Sequence, residues 1–238
     1  MERQDGRKPE ELRKVEVDLE FLKKPGTVLY RQGDTVVLVS ASIQNSVPPF
    51  LTGTGTGWIT AEYNMLPGST QERMLRERAK VSGRTYEIQR LIGRSLRAGF
   101  FLNELGERTI WVDCDVLQAD GGTRTASITA GFIAVYDLLR HLKEKGEIER
   151  IPLRNFIASV SAGIVEGELL LDLTYEEDSR AWVDLNLVMT DDGKLVEIQG
   201  TGEATSFSKE ELDHMLELGW KGIRELIEIQ KTILGVEG

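Results

Sequence analysis

The segment DCDVLQADGGTRTASITAGF, residues 113–132, decides how this chain is read. Apolar and polar residues alternate as in a strand, two glycines stop the pattern, and small residues then open a helix. Such a junction leaves the first helical N–H groups without intrahelical partners, with the positive end of the helix dipole behind them. Phosphate fits that arrangement. Gly121 and Gly122 let an anion approach the main chain, Thr123, Thr125 and Ser127 offer hydroxyls, and Arg124 supplies a fork matching two phosphate oxygens. The stretch has neither the lysine of a P-loop nor the GxGxxG of a dinucleotide fold. A tight strand-to-helix connection with small residues for packing would look the same.

The surroundings on the N-terminal side favour an anion. The whole chain of 238 residues carries a formal charge of −10, which taken alone argues against a polyanionic partner. Between Gln71 and Arg97, however, Arg73, Arg76, Arg78, Lys80, Arg84, Arg90, Arg94 and Arg97 face only Glu72, Glu77 and Glu87. That strip is positive on an otherwise acidic body. Arg84, in SGRT, precedes a helix start and can converge on the same phosphate from a second element. Arg90, Arg94 and Arg97 recur at helical spacing opposite Ile88, Leu91, Ile92 and Leu96, giving a helix with a core side and an arginine side. Either a solvated charged face or an RNA-backbone contact accounts for that side, and Arg73 and Arg76 extend it.

Strands are expected at 15–21, 26–30, 35–43, 57–63 and 107–117, with RQGDT as a hairpin turn. Helical periodicity is expected from Gln71, again near 85–103, and over 123–145, where Gly146 ends it. The second half repeats the style, with strands near 156–164, 168–173, 182–189 and 194–199. A last helix is opened by the Ser208/Glu211 capping box. Strands then helices, twice over without a polar linker, give an α+β fold, a single domain of two similar halves spanning residues 1–238. The charged start lacks a signal peptide's apolar stretch, and no apolar run is long enough to cross a membrane, so a cytoplasmic protein is expected. Cys114 falls inside a strand as a packed thiol, and His141 and His214 sit in charged helical surroundings facing solvent.

A second constellation is acidic. In YEEDSRAWVDLNLV, residues 175–188, Asp178 and Asp184 would stand about 20 Å apart on one straight strand, too far for a shared cation. Sharing one requires a reversal at 179–181, which the polar EEDSR makes reasonable. A carboxylate between Val183 and Leu185 needs a partner, either a metal ion or a buried arginine.

Together these segments resemble the bacterial ribonuclease PH family. The likeness runs in order through DGRKPEELR (5–13), GWITAEYNMLPGSTQER (57–73), GRTYEIQRLIGRSLRA (83–98), GERTIWVDCDVLQADGGTRTASITA (106–130) and YEEDSRAWVDLNLVMTDDGKLVEIQGTGE (175–203). It covers essentially the whole chain, and the block around DGGTRT is specific to the family. The resemblance implies a fold like the second domain of ribosomal protein S5. It also implies a phosphorolytic 3′-to-5′ exoribonuclease acting on transfer-RNA precursors and other RNA with a free 3′ end. Inorganic phosphate replaces water in that reaction, and nucleoside diphosphates leave.

The family's phosphate-binding residues map onto Arg84, Gly122, Thr123 and Arg124, and its catalytic and Mg²⁺-associated aspartates onto Asp178 and Asp184. Arg73, Arg76, Arg90, Arg94 and Arg97 are then the candidates for RNA-backbone contacts, on the same chain or across a subunit boundary. A homo-hexamer, a trimer of dimers, is implied as well. Two departures are visible: Gly68 stands where a basic residue usually follows MLP, and the loop before GRT is about two residues shorter. A non-catalytic RNA-binding ring subunit would keep the basic face but lose Arg124 or an aspartate. A kinase-like phosphate-loop protein would need a triphosphate loop and a base pocket.

Overall fold

The computed structural model describes residues 3–77 and 81–236. Arg78 and Lys80, two members of the basic strip, lie outside the described residues. The first half builds a five-stranded sheet from β1 (Val15–Asp18), β2 (Thr27–Gln32), β3 (Thr35–Gln44), β4 (Trp58–Met65) and β5 (Thr109–Gln118). The strand order is β1-β2-β3-β5-β4; neighbours are antiparallel except β4 and β5, which run parallel. Helix α1 (Gly83–Ala98) makes the crossover between β4 and β5, and α2 (Thr123–Glu144) follows β5 directly. The second half is an antiparallel sheet of order β7-β6-β8-β9, formed by β6 (Ile157–Val165), β7 (Glu168–Leu171), β8 (Ala181–Thr190) and β9 (Leu195–Gly202). A four-residue helix α3 (Tyr175–Asp178) precedes β8, and α4 (Lys209–Leu234) closes the chain.

The small-residue run after Arg124 makes sense once α2 is placed. It packs on β2, β3 and β5 on one side and on β6 and α4 on the other, and Thr125 through Tyr136 are all buried. A helix buried all round needs apolar or small residues on every face, not a stripe. One hydrophobic cluster therefore runs from Val28 and Val39 of the first sheet through Phe132 and Leu139 to Leu185, Leu226 and Leu234.

The structure differs from the sequence reading in four places. Residues 71–77 form no helix: the chain there is a loop in which the Met74 N–H donates to the Pro67 carbonyl at 2.8 Å. β1 ends at Asp18, before Phe21. Helix α1 stops at Ala98, not near Asn103, because Gly99 lies against another part of the chain. A Cβ at Gly99 would come within 3.1 Å of the Phe132 ring and 3.2 Å of the Asn155 carbonyl, and Phe100 pairs with Leu153. Tertiary pairing overrides the helical pattern. The fourth difference is α3, a helix that the sequence pattern does not predict and that a Thr174/Glu177 capping box starts.

Candidate active site

The ends of β4 and β5, the starts of α1, α2 and α3, and the middle of β8 surround one cleft of about 890 Å³. On its floor, β5 turns into α2 through two glycines with left-handed backbone, Gly121 at φ 72° and Gly122 at φ 61°. Other residues adopt that conformation at a cost, and a Cβ at Gly121 would sit 2.5 Å from the Leu173 carbonyl oxygen. Gly122 is the N-cap, and no side chain caps the helix. The first helical hydrogen bond runs from Ala126 N–H to Gly122 at 2.9 Å, so the amides of Thr123, Arg124 and Thr125 precede it. These amides, with the dipole behind them, are left without a side-chain cap at the cleft floor.

The hydroxyls divide. Thr123 Oγ1 lies 2.8 Å from the Tyr63 hydroxyl at the cleft wall. Thr125 and Ser127 are buried and donate to the carbonyls of Gly122 and Thr123, each at 2.8 Å. Those two hydroxyls hold the helix turn together and are not offered to a ligand, which corrects the expectation for them.

Arg84 and Arg124 reach this bend from α1 and α2. Ser82 caps α1 by accepting from the Thr85 N–H at 3.2 Å, which leaves Arg84 in the first turn, exposed and lining the cleft. Both guanidiniums act on the same two groups. Burial raises the Tyr63 hydroxyl and the Asp178 carboxyl, and in each case the charges of Arg84 and Arg124 oppose that rise. Arg124 also donates to Gln199 Oε1 at 3.3 Å, and Gln199 in turn donates to Glu87. Among the described residues no carboxylate forms an ion pair with Arg84 or Arg124.

The acids also meet. Asp178 is the last residue of α3, Ser179 ends that helix, and β8 begins at Ala181, so the chain reverses where it must. Asp178 and Asp184 line the same cleft. Burial, then the neighbouring Asp178 charge, push the Asp184 carboxyl up to about 6, although Arg124 and a 3.1 Å hydrogen bond from Asn186 oppose the rise. Among the described residues no group of three His, Cys, Asp or Glu side chains is placed to hold a metal. Two hard carboxylates lining one cleft do suit Mg²⁺, which keeps water oxygens in its shell.

Arg90, Arg94 and Arg97 do not line this cleft. Arg97 stacks over Trp58 at 4.1 Å and donates to the Ile59 carbonyl, and Arg94 pairs with Glu197 at 2.8 Å. Arg90 is exposed on the same face, and these three border a shallow groove beside β4. The anion facing Arg94 is thus supplied by the chain itself. Arg73 and Arg76 are exposed on the 71–77 loop. Cys114 is buried, with its thiol pushed up by burial; His214 is exposed and His141 half-buried. At Gly68 a Cβ would meet nothing within 4 Å, so nothing steric excludes a side chain there.

Three contributors escaped the sequence reading. Tyr63 faces the bend from a strand, Asn186 steadies Asp184 from two residues along, and a set of N-terminal arginines lies buried behind the site. Only Asn186 carried a signal, because alternate residues of a strand share a face.

Residues 11–140 match domain 1, and residues 155–222 domain 2, of the 3′ exoribonuclease family. The chain belongs to the 3′ exoribonuclease family. Within it, the chain is 56% identical over 239 residues to the Ribonuclease PH of Syntrophomonas wolfei, covering 99% of this chain and 100% of that one. It is 55% identical to the Ribonuclease PH of Bacillus subtilis, covering 98% and 97%. Its fold resembles a chain of the Archaeoglobus fulgidus exosome with RNA bound to the active site, at TM-score 0.81 and 25% identity over 95% of this chain and 92% of that one. Rice Rrp46 shares the fold, at TM-score 0.77 and 20% identity, with 98% and 100% covered.

Proposed function

We propose that this family member is a phosphorolytic 3′-to-5′ exoribonuclease that trims transfer-RNA precursors in the cytoplasm, with Arg84, Gly122, Thr123 and Arg124 holding inorganic phosphate. One observation carries the site assignment: Arg84 and Arg124, from two different helices, act on the same aspartate, Asp178, beside an uncapped helix start.

Phosphorolysis brings one anion onto another, so positioning and charge neutralisation supply most of the catalysis. The amides at 123–124 and the two guanidiniums take three faces of the phosphate and leave one oxygen free. That oxygen attacks the phosphorus of the terminal phosphodiester, and the bond from phosphorus to the 3′-oxygen of the preceding nucleotide breaks. A nucleoside diphosphate leaves, and the shortened RNA ends in a 3′-hydroxyl. The proton that the 3′-oxygen takes up comes from the attacking hydrogen phosphate, and Asp178, whose ionisation burial disfavours, is the group at hand to pass it on. A Mg²⁺ ion held by Asp178 and Asp184 would neutralise charge on the phosphodiester and the leaving oxygen. Asn186 fixes the Asp184 carboxylate and Tyr63 fixes Thr123.

The exposed arginines at 73, 76 and 90, with Arg94 and Arg97, serve the RNA backbone, on this chain or across a subunit boundary. Contacts of that kind carry no base identity, so a free single-stranded 3′ end is the feature recognised. The fold shared with a chain of an archaeal exosome core supports the ring of six that the family resemblance implies. Light scattering in solution tests it.

The reaction is tested on a short single-stranded RNA with Mg²⁺, with and without inorganic phosphate. Nucleoside diphosphates released only in the presence of phosphate are expected. Nucleoside monophosphates released in phosphate-free buffer would mean that water is the nucleophile.

A further inference from the structure

Two consecutive left-handed glycines give a phosphate room to approach, but they are also the most permissive backbone a chain can have. A site that positions a nucleophile must be held within a fraction of an ångström by its surroundings. Behind the bend, on the side away from the cleft, lies a buried polar cluster that the reaction does not use. Arg13 is 4% exposed and Asp172 is 1% exposed. Arg13 offers its guanidinium to Asp172 Oδ1 at 2.7 Å and its backbone N–H to Oδ2 at 2.8 Å. Asp172 adopts φ 54° to do this, a costly conformation for a residue with a side chain.

Burying such a pair is a poor way to gain stability, since apolar residues of similar volume often do as well. We infer that Arg13 and Thr35 are positioning residues, a clasp that fixes the 120–122 bend and sets its distance to Asp178. The clasp rests on the phosphate site proposed above.

The contacts run in one direction. Arg13 Nη1 donates to the Asp120 carbonyl and lies 3.6 Å from the Asp120 carboxylate. The Thr35 hydroxyl donates to the Gly121 carbonyl at 2.6 Å while accepting from the Asp120 N–H at 3.1 Å. The guanidinium fills the space behind Gly122, where a Cβ would lie 3.1 Å from Nη2. Two peptide groups of the bend are thus tied to β3 and to the N-terminal segment. The Asp120 carboxylate then accepts from the Tyr175 N–H at 3.1 Å, the first residue of the helix that ends at Asp178. Arg3 locks the other side of that helix with two 2.8 Å bonds to Glu177. The phosphate bend and the acid are therefore registered through one carboxylate, Asp120, and Arg13 orients it. Neither Arg13 nor Thr35 lines the cleft.

The test uses the full chain with inorganic phosphate as the probe. Thr35→Val keeps the volume and removes the hydroxyl, Thr35→Ser restores it, and Arg13→Lys keeps the charge but loses the fork. Ile133→Val, in the core of α2, destabilises without touching the clasp. Each is assayed where circular dichroism shows it folded, for the phosphate KM and for the phosphate-induced rise in Tm.

A small misplacement at a reacting centre costs up to about 100-fold, so the phosphate KM of Thr35→Val is expected to rise by about tenfold. The thermal shift should need correspondingly more phosphate, Arg13→Lys should behave alike, and Thr35→Ser and Ile133→Val should stay within about twofold of the unaltered chain. A folded Thr35→Val with an unaltered phosphate KM would overturn the clasp, as would an equal rise in Ile133→Val. No response of the unaltered chain to phosphate, in turnover or in Tm, would remove the phosphate site and the clasp with it.

Discussion

Asp172 and Asp184 are both withdrawn from water in the second half of the chain, and the structure treats them in opposite ways. Burial would raise either carboxyl. At Asp172 the Arg13 guanidinium and its hydrogen bonds outweigh burial and hold the group below the usual carboxylate range. At Asp184 burial is joined by a second negative charge, Asp178, and the group rises to about 6. The same contrast holds among arginines: Arg3 and Arg13 are paired within 3 Å behind the site, whereas Arg84 and Arg124 face the cleft without a carboxylate partner among the described residues. Satisfied charges mark scaffold and unsatisfied charges mark a place for something else, in the mechanism proposed above a phosphate and a cation.

The largest expected effects come from exchanging the two acids for their amides. Asp184→Asn should lower turnover by about 100- to 1,000-fold, the scale of losing a group that stabilises transition-state charge, without lowering Tm. Asp172→Asn strands a buried arginine and should cost about 3–5 kcal/mol, close to 10 °C of Tm in a chain of this size. Kinetics and calorimetry on the pair would break the comparison if both variants lost stability and activity alike.

Next in size, Arg124→Ala and Arg84→Ala should each raise the phosphate KM by about tenfold or more, because each removes charge-assisted hydrogen bonds worth about 1.5–3 kcal/mol. RNA affinity measured without phosphate should change far less. An equal loss of both would place these arginines on the RNA instead.

A smaller effect appears with pH in the absence of metal. Asp184 binds its proton more tightly in the folded chain, so its ionisation destabilises the fold, and stability should rise as pH falls through about 6. Asp172 and Glu177 are held low, so the stability they add is present above the unfolded carboxylate range near pH 4 and is lost below it. Tm followed from pH 8 to 3 should pass through a maximum. Asp184→Asn should flatten the upper arm and leave the acid arm in place.

The smallest effect is expected at the outer face of α1. Arg94→Ala breaks a half-exposed pair with Glu197 and should alter stability by less than about 1 kcal/mol. If it contacts RNA as well, the salt dependence of RNA binding should weaken by roughly one phosphate contact.

Much of this was legible in the sequence because it rests on local chemistry. The glycine bend, Arg84 and Arg124, and the reversal between Asp178 and Asp184 each follow from a few neighbouring residues. The Ser208/Glu211 capping box was read the same way. What the sequence hid depends on distant partners. Arg13 meets Asp172 and Asp120 only after the first half has folded onto the second. The hydroxyls of Thr125 and Ser127 look like ligand donors until α2 is seen to bury them. Nor does a three-arginine face reveal that Trp58 and Glu197 already occupy two of its members.

Whether a phosphate seats on the bend at 122–124 between two arginines is decided by a crystal grown with saturating orthophosphate. Density is expected within hydrogen-bond reach of the Thr123 and Arg124 amides and of both guanidiniums, Arg84 and Arg124. Phosphate bound elsewhere in the cleft, with the bend empty and the two side chains turned apart, would contradict it.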